Sequence, residues 1–235
     1  MDSSRFPGKP MLDFRGLPMV EHVRRRALLA RAFSDVVVAT CDDVIAEAVE
    51  KYGGRIVMTA NTHLAATDRV AEAMQHIDCT HVVNVQGDEI LILPEDLDRM
   101  VKASERNPSA SAWNGVAVID NPEELRDRSI VKCAMSITDR ILFCSREFST
   151  IPVFKVLGVL AFERSFLNRY PQLQRTPIEL AESIDQSRII ENDITLHGVR
   201  FTHGYPGINE PREVDLVEKY LQNDARQRDV LTSIL

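Results

Sequence analysis

The first ten residues contain side chains that could hold a phosphate group. Two serine hydroxyls, two cationic side chains and a Pro-Gly turn lie within residues 2–10, and the residues of interest are Ser3, Ser4, Arg5, Gly8 and Lys9. A turn of this composition can direct backbone N–H groups and a lysine toward one anionic ligand. The stretch therefore predicts a phosphate-binding loop.

A carboxylate follows a stretch that is expected to be a buried strand. Residues 80–85 are apolar and rich in β-branched side chains, and Gln86, Gly87 and Asp88 come directly after them. Ligands of open α/β sheets bind outside the carboxyl ends of the strands. The sequence therefore predicts Asp88 as a magnesium ligand. The alternative is an Asx turn in which Asp88 only caps the end of the strand.

Strands and helices alternate over the first half of the chain. Residues 35–40 form a β-branched run that predicts a strand, a helix is expected over 44–52, and a second strand over 55–59. This order predicts an α/β fold with a parallel sheet and right-handed crossovers. Further helices are expected over 67–77 and 94–106.

The order of elements changes in the second half, because predicted strands follow one another. Strands are expected over 109–119, 131–136, 141–145 and 156–162, and the middle two have the pattern of a hairpin. An antiparallel subdomain inserted on the nucleotide-binding layer explains the change. Such an element could serve as a lid or as a dimer arm.

Start signals predict the helices near the C-terminus. Thr176, Pro177 and Glu179 match a capping box, and the helix that they begin is expected to continue through Arg188. A late strand is expected over 199–203. The last predicted helix opens at Pro211.

Three consecutive arginines lie in a helix that is predicted to begin at Pro18. Because the apolar positions of this helix recur at helical spacing, Arg24, Arg25 and Arg26 are expected mostly on its solvated face. The alternative is that one of the three reaches a nucleotide.

Composition and charge narrow the class of protein. The 235 residues are 44% hydrophobic and 27% charged, which is ordinary for a globular protein with a substantial core. The net charge of −7 argues against non-specific binding to nucleic acid or to a membrane surface. No apolar run reaches about 18 residues and no signal-peptide pattern is present, so a cytoplasmic location is expected.

The cysteines and histidines show no metal-binding pattern. The four cysteines form no C-x-x-C pair and lie in or beside apolar segments, which predicts buried, reduced thiols. A disulfide, a zinc ligand or a nucleophile are the alternatives. The six histidines also lack ligand spacing, so no transition-metal site is expected.

Five short motifs occur along the chain in a fixed order. They are Ser4-Arg5-Phe6-Pro7-Gly8-Lys9-Pro10, Thr67-Asp68-Arg69, Val85-Gln86-Gly87-Asp88-Glu89, Val131-Lys132 and Ser145-Arg146. Each motif alone is weak. In this order and at these separations they resemble the CMP-Kdo synthetases, the 3-deoxy-manno-octulosonate cytidylyltransferases, and the resemblance covers nearly the whole chain.

The resemblance implies a fold and an assembly. The expected fold is of the nucleotidyltransferase type, with a Rossmann-like, mostly parallel sheet and an inserted antiparallel arm. Residues 1–235 are expected to form one domain, in which 109–162 is the dimerisation and sugar-side element of a homodimer. The family's first strand has no counterpart after Met1, and we expect the reading frame upstream of Met1 to encode it.

The resemblance also implies roles for individual residues. CTP is expected to contact Ser3, Ser4, Arg5, Gly8, Lys9, Thr67, Arg69 and Gln86, with Arg5, Lys9 and Asp88 as catalytic residues. Mg²⁺ is expected on Asp88, with Asn209 at the position of the family's second metal ligand. The sugar acid is expected to contact Lys132, Arg146, Glu182, Asp185 and Gln186, and its carboxylate to bind Arg146, Lys132 or Arg188.

The implied reaction is an attack of the sugar's anomeric hydroxyl on the α-phosphorus of CTP, with pyrophosphate as the leaving group. Alignment of the reactants is expected to supply most of the acceleration, about 7–11 kcal/mol in favourable cases. Two alternatives stay open. One is a related enzyme for a nine-carbon acid such as sialic or legionaminic acid, and the other is a non-catalytic paralogue that binds a nucleotide or dimerises without turnover.

Overall fold

The chain folds into helices and strands in the computed structural model, which describes residues 6–119, 121–148 and 153–235. The strands are β1 Asp13–Phe14, β2 Leu17–Pro18, β3 Val37–Thr40, β4 Arg55–Met58, β5 His81–Val85, β6 Ala112–Val118, β7 Lys132–Met135, β8 Arg140–Ser145, β9 Phe154–Glu163 and β10 Leu196–Arg200. The helices are α1 Met19–Leu28, α2 Asp43–Lys51, α3 Ala66–Ala73, α4 Pro94–Arg106, α5 Pro122–Arg126, α6 Arg164–Arg169, α7 Pro177–Glu182, α8 Asp185–Glu191, α9 Arg212–Asn223 and α10 Ala225–Ile234. The predicted α/β class is confirmed.

Local signals placed the early elements to within a few residues. Helix α4 spans Pro94–Arg106, as predicted. Helix α2 begins where the Asp42 carboxylate accepts a hydrogen bond from the Val44 N–H at 3.0 Å, and the chain leaves the helix through Gly53, whose φ is 71°. Both signals are local, because an N-cap side chain and a left-handed glycine act within one turn.

The contacts divide the chain into two compact units, each built from separate stretches. The first unit takes the chain up to Thr62 together with Val85–Asp98 and Tyr205–Leu235. The second unit comprises His63–Asn84 and Arg99–Gly204. The assignment of residues 1–235 to a single domain stays a prediction.

The first unit contains a sheet of two parallel strands. Strands β3 and β4 pair in register from Val37 opposite Arg55 to Thr40 opposite Met58, as the predicted βαβ unit requires. In the part of the chain that the structure describes, they pair only with each other.

Helices cover the apolar residues of the first unit. One buried cluster joins Val20, Ile45 and Val49, with Val38 and Ile56 of the strands packed against it. A second cluster consists of Phe14, Met19, Ile90, Leu91, Ile208, Val217 and Leu221. The second cluster lies under the stretch that follows Asp88, so it supports the loop that carries this carboxylate.

The prediction of a solvated arginine triplet is wrong for two of its residues. Arg24 is 8% exposed and makes two hydrogen bonds, 2.6 and 2.7 Å long, to the carboxylate of the buried Glu21. Arg26 is fully buried and donates to the Ile92 carbonyl at 3.1 Å. Most of α1 is buried, so its polar residues do not occupy a separate wet face. Periodicity alone cannot reveal a helix that is covered on several sides.

The second unit contains a six-stranded sheet in the order β5-β9-β6-β10-β8-β7. Strands β6 and β10 are parallel, whereas the pairings of β9 with β6, of β7 with β8 and β9, and of β8 with β10 are antiparallel. Because β7 also pairs with β9, five of the strands form a closed ring of pairings. The predicted run of antiparallel strands and the hairpin of β7 and β8 are confirmed.

Two cysteines of this sheet are buried thiols, as predicted. Cys133 on β7 and Cys144 on β8 lie directly opposite each other. Burial raises the pKa of Cys133 to about 12 and the pKa of Cys144 well above its usual value. Cys41 and Cys79 are half-buried free cysteines.

The predicted helix from Thr176 through Arg188 is wrong in its length. It begins as expected, because Pro177 occupies its first turn and the Glu179 carboxylate accepts a hydrogen bond from the Thr176 N–H at 3.3 Å. Ser183 then takes a left-handed conformation with φ 54°, which ends α7, and α8 starts at Asp185. Without a glycine or proline at this position, the sequence carries no signal for the break.

The C-terminal region also differs from the prediction of one last helix. Helix α9 ends at Asn223, and α10 follows after Asp224, whose carboxylate accepts a hydrogen bond from the Gln227 N–H at 3.0 Å.

Within the described ranges, no helix combines the length and the apolar composition that crossing a membrane requires.

A buried arginine joins three helices of the second unit. Arg188 is 1% exposed and makes two hydrogen bonds to Glu179, 2.6 and 2.9 Å long, and two to Asp68, 2.8 and 3.2 Å long. Its guanidinium also stacks on the Tyr170 ring at 4.5 Å. These ion pairs raise the pKa of Arg188 although burial opposes its charge. Helices α3, α7 and α8 therefore share one buried cation.

We predict that Arg188→Met lowers the free energy of unfolding by about 3–5 kcal/mol, because it leaves the buried Glu179 carboxylate without its inner partner. The matched control is Arg175→Met, since Arg175 also bonds to Glu179 but is 36% exposed. The control should cost less than about 1 kcal/mol. Urea denaturation measures both values, and equal losses would contradict the role given to Arg188.

Candidate functional site

In the first unit, the predicted phosphate-binding loop brings Lys9 to Asp88. Gly8 has φ 76°, a conformation that favours glycine, and a short 3-10 turn over Lys9–Met11 follows it. The Lys9 Nζ donates to Asp88 Oδ2 at 2.8 Å and to the Ile208 carbonyl at 2.8 Å. The predicted contacts of Ser3, Ser4 and Arg5 fall outside the described residues.

Backbone contacts hold the Asp88 loop against the stretch that carries Asn209. The Ile208 N–H donates to the Asp88 carbonyl at 3.1 Å. A Cβ at Gly207 would lie 3.1 Å from the same carbonyl oxygen, so the close approach favours glycine there. The Asn209 N–H donates to the Glu213 carboxylate in the first turn of α9. The two predicted metal ligands, Asp88 and Asn209, are thus carried by stretches that touch.

The oxygen atoms at this point fit a hard cation such as Mg²⁺. The Lys9 ammonium already lies between the Asp88 carboxylate and the Ile208 carbonyl, so the structure holds a positive charge on two oxygen ligands. Asp88 keeps 21% of its side chain exposed. Mg²⁺ is usually held by one or two carboxylates together with substrate phosphates. Across the described residues, no cluster of three or more His, Cys, Asp or Glu side chains could hold a metal ion by itself.

Gln86 precedes this carboxylate at the end of β5. It is half-buried, and its carbonyl accepts a hydrogen bond from the Glu89 N–H at 3.1 Å. This turn sets the direction in which the chain leaves the strand. Gln86 and Asp88 therefore follow the carboxyl end of β5, where the sequence placed them.

In the second unit, α3 contacts the start of α8. Asp185 Oδ2 accepts hydrogen bonds from the Thr67 N–H at 3.4 Å and from the Thr67 hydroxyl at 3.2 Å. Burial raises the pKa of Asp185, and the Thr67 hydrogen bonds oppose this only in part. Thr67, a predicted nucleotide contact, is 1% exposed and bonds to a predicted sugar contact, while Arg69 is half-buried on the same helix.

Glu182 connects the end of α7 to the end of β8. Its carboxylate accepts hydrogen bonds from the Ser145 hydroxyl at 3.0 Å and from the Arg146 N–H at 2.7 Å. The Arg146 guanidinium donates in turn to the Glu182 carbonyl at 2.9 Å and to the carbonyls of Arg128 and Ser129. The structure therefore brings together two of the predicted sugar contacts, Glu182 and Arg146.

Lys132 completes this network from β7. It is fully buried, and its ammonium donates to the carbonyls of Asp127 and Arg146. Burial lowers the pKa of Lys132. Of the three cations considered for the sugar carboxylate, Lys132 and Arg188 are thus enclosed by protein groups.

Gln186 is held by a residue that the sequence analysis did not single out. Its Nε2 donates to Asn114 Oδ1 at 2.7 Å, and Asn114 is fully buried in β6. Asn114 belongs to none of the five motifs, so the resemblance did not identify it. The available signal was an asparagine within an otherwise apolar predicted strand, because a polar group in such a place needs a specific partner.

The chain is similar to known proteins over most of its length. A family model described as "Cytidylyltransferase" matches residues 1–196. The chain belongs to this cytidylyltransferase family. The resemblance predicted from the five motifs is therefore confirmed.

Individual relatives of this cytidylyltransferase match nearly its whole length. The 3-deoxy-manno-octulosonate cytidylyltransferase of Geobacter sulfurreducens is 34% identical, over 94% of this chain and 95% of the relative. The 8-amino-3,8-dideoxy-manno-octulosonate cytidylyltransferase of Shewanella piezotolerans is also 34% identical, over 94% of this chain and 95% of the relative.

Solved structures agree with the sequence relatives. The structure of CMP:2-keto-3-deoxy-manno-octonic acid synthetase complexed with CTP matches with a TM-score of 0.88 and 31% identity, over 95% of both chains. A cytidylyltransferase of Leptospira borgpetersenii matches with a TM-score of 0.67 and 16% identity, over 99% of this chain and 89% of that one. The first match and the family together establish a nucleotidyltransferase-type α/β fold, and the second supports the fold alone.

We predict that Glu182→Gln lowers the free energy of unfolding by about 1–3 kcal/mol, because the hydrogen bonds from Ser145 and Arg146 lose their charged acceptor. The control is Glu147→Gln, since Glu147 is 65% exposed and pairs with the exposed Arg128. That change should cost less than about 1 kcal/mol. Urea denaturation compares the two, and a loss no larger than that of the control would show that the Glu182 network adds little to stability.

Proposed function

We propose that this cytidylyltransferase transfers CMP from CTP to a 3-deoxy-manno-octulosonate sugar acid and releases pyrophosphate. The observation that carries the proposal is the similarity over 95% of the chain to a CMP:2-keto-3-deoxy-manno-octonic acid synthetase that was solved with CTP. The names of the curated relatives point to the same class of acceptor. The product would be an activated sugar for the synthesis of a cell-surface polysaccharide.

The proposed reaction forms one phosphorus–oxygen bond and breaks another. The anomeric hydroxyl oxygen of the sugar attacks the α-phosphorus of CTP, and the bond from this phosphorus to the bridging oxygen of the β-phosphate breaks. Pyrophosphate carries away the electron pair, and the hydroxyl proton leaves to solvent. Negative charge grows on the leaving group, so fixed cations accelerate the step.

The first unit supplies groups that would bind and stabilise the negative charge of the leaving group. Lys9, 14% exposed at its side chain, would bind the phosphates, and Asp88 with Asn209 would hold Mg²⁺. When bound, Mg²⁺ would neutralise phosphate charge. The remaining predicted nucleotide contacts of this unit are Ser3, Ser4, Arg5, Gly8 and Gln86. The chain's own task in this proposal is to align the two substrates rather than to react covalently.

A second acceptor is favoured by the curated relatives. The 8-amino-3,8-dideoxy-manno-octulosonate cytidylyltransferases of Shewanella piezotolerans and Shewanella halifaxensis are as similar as the first relative, at 34% identity. The two acceptors differ only in a hydroxyl or an amino group at carbon 8. The proposed sugar contacts, Lys132, Arg146, Glu182, Asp185 and Gln186, would bind the part that they share.

The direct test is pyrophosphate release by the purified chain with CTP, Mg²⁺ and one sugar acid at a time. The acceptors are 3-deoxy-manno-octulosonate, its 8-amino analogue and a nine-carbon sialic acid. We expect release with one or both eight-carbon acids. Release only with the nine-carbon acid would reassign the substrate, and no release with any acceptor would refute the proposed activity.

Removing either charged group of the first unit should stop the reaction. We predict that Lys9→Met and Asp88→Asn each lower kcat by about 10²–10³-fold, because each takes away a charge that acts on the phosphates or on their cation. Lys219→Met is the control, since Lys219 is exposed on α9. Steady-state pyrophosphate release at saturating CTP measures all three. Rates within about twofold of wild type in the Lys9 or Asp88 variant would exclude the assigned role.

We also propose that the chain acts as a homodimer in the cytoplasm and that the dimer forms through the hairpin of β7 and β8. The hairpin exposes Ile137, Leu142 and Phe143, the last two by 44% and 42%. Exposed apolar residues on one element are typical of an interaction surface.

We predict that Phe143→Glu shifts the mass in solution from that of two chains to that of one, because the charge would be buried at the interface. Leu64→Glu, at a residue that is 83% exposed in another part of the same unit, should leave the mass unchanged. Light scattering coupled to gel filtration measures both. A wild-type chain that is monomeric would rule out the dimer.

A further inference from the structure

A buried amide lies in the middle of an apolar strand. Asn114 belongs to β6, in which all residues from Ala112 to Ala117 are buried, and it is itself fully buried. An amide in such surroundings costs free energy unless its donors and its acceptor are paired. The partners of Asn114 are therefore specific to its position.

The pairing of β6 with β9 is irregular where Asn114 lies. Asn114 is opposite Leu160, whereas Val116 is opposite Val156, so β9 advances by more residues than β6 between these pairs. Asn114 Nδ2 donates to the Gly115 carbonyl at 2.8 Å and to the Leu157 carbonyl at 2.9 Å. Both carbonyls belong to this bulge, where the regular ladder of backbone hydrogen bonds is interrupted. The Asn114 side chain supplies a donor to each of them.

These two contacts determine which end of the amide faces which neighbour. A carbonyl oxygen can only accept a hydrogen bond, so the NH₂ group of Asn114 must face Gly115 and Leu157. Asn114 Oδ1 then faces Gln186 and accepts from its Nε2 at 2.7 Å. The Gln186 amide is fixed in turn, with its NH₂ group toward Asn114 and its Oε1 directed away.

The Gln186 oxygen is left for an outside partner. Among the described residues none donates to Gln186 Oε1, and Gln186 as a whole is 7% exposed. The preceding residue, Asp185, is held in a similar way, because both hydrogen bonds from Thr67 go to its Oδ2. The first turn of α8 thus presents oxygen acceptors on Asp185 and Gln186, and hydrogen bonds with Thr67 and Asn114 fix the orientation of these side chains.

We propose that Asn114 is a positioning residue that fixes the Gln186 amide so that Oε1 accepts a hydrogen bond from a hydroxyl or amino group of the acceptor sugar. The proposal rests on the proposed function for the identity of that sugar. Asn114 itself touches no substrate and acts through Gln186. Without this anchor the Gln186 amide could turn over, so that Oε1 faces the sugar only part of the time and the contact weakens.

The kinetic test is a double-mutant cycle. Asn114→Leu and Gln186→Met should each raise the KM for the sugar acid about tenfold, the value of one lost hydrogen bond, and leave the KM for CTP within about twofold. Because Asn114 acts through Gln186, the double variant should be no worse than Gln186→Met alone. Additive effects, or an equal rise in the KM for CTP, would overturn the proposal.

The control for lost packing is Val116→Ala, at a fully buried residue of the same strand. It should lower the melting temperature, leave the KM for the sugar acid within about twofold, and have the same effect in the wild-type and Gln186→Met backgrounds. A KM rise in this variant that equals the rise in Asn114→Leu would assign the effect to packing.

A second measurement needs no activity and no variant that must fold. In wild-type chain labelled with ¹⁵N at glutamine, the side-chain NH₂ of Gln186 should exchange with solvent much more slowly than that of Gln222, which is exposed on α9. Equal exchange rates would refute the fixed amide. Slow exchange together with no turnover of any sugar acid would retain the fixed amide and reject the proposed function.

Discussion

The second unit depends on one buried cation. Arg188 is enclosed by Glu179, Asp68 and the ring of Tyr170, and these belong to α7, α3 and the turn after α6. Burying a guanidinium is costly, and only paired carboxylates with good geometry offset the cost. Because Asp68 follows Thr67 in α3, the ion pair also fixes the residue that bonds to Asp185. The orientation of Asp185, one of the proposed sugar contacts, therefore depends on a charge pair that is enclosed by protein groups.

Lys9 in the first unit and Lys132 in the second differ in how easily a ligand could displace their hydrogen-bond partners. Lys9 is held by one carboxylate and one carbonyl and keeps 14% of its side chain exposed, so a phosphate could compete for it. Lys132 is fully buried and, among the described residues, donates to two carbonyls of its own unit. A ligand charge would have to break these bonds before it reached the lysine. A ligand charge is therefore recognised more easily at Lys9 than at Lys132.

Elements with local determinants could be predicted from the sequence, and those that depend on distant contacts could not. Pro94 and the acidic residues after it were enough to place α4, and the βαβ pattern placed β3 and β4. Arg26 was wrongly expected in solvent, because the carbonyl that it binds comes from Ile92, far along the chain. Asn114 was missed for the same reason, because its partners, the Leu157 carbonyl in β9 and the Gln186 amide in α8, lie far along the chain. In the site, the motifs identified the pair of Lys9 and Asp88, but not what orients the sugar contacts.

The break between α7 and α8 shows how backbone conformation directs the site. In a continuous helix, Glu182 and Asp185 would be three residues apart and would project from the same face. In the structure Glu182 bonds to the end of β8, while Asp185 bonds to α3. The left-handed Ser183 between them makes this division possible, and a non-glycine residue adopts that conformation only at a cost in free energy. Such strain persists where the surrounding contacts hold it in place, and here those contacts are the hydrogen bonds of Glu182 and the ion pair of Arg188.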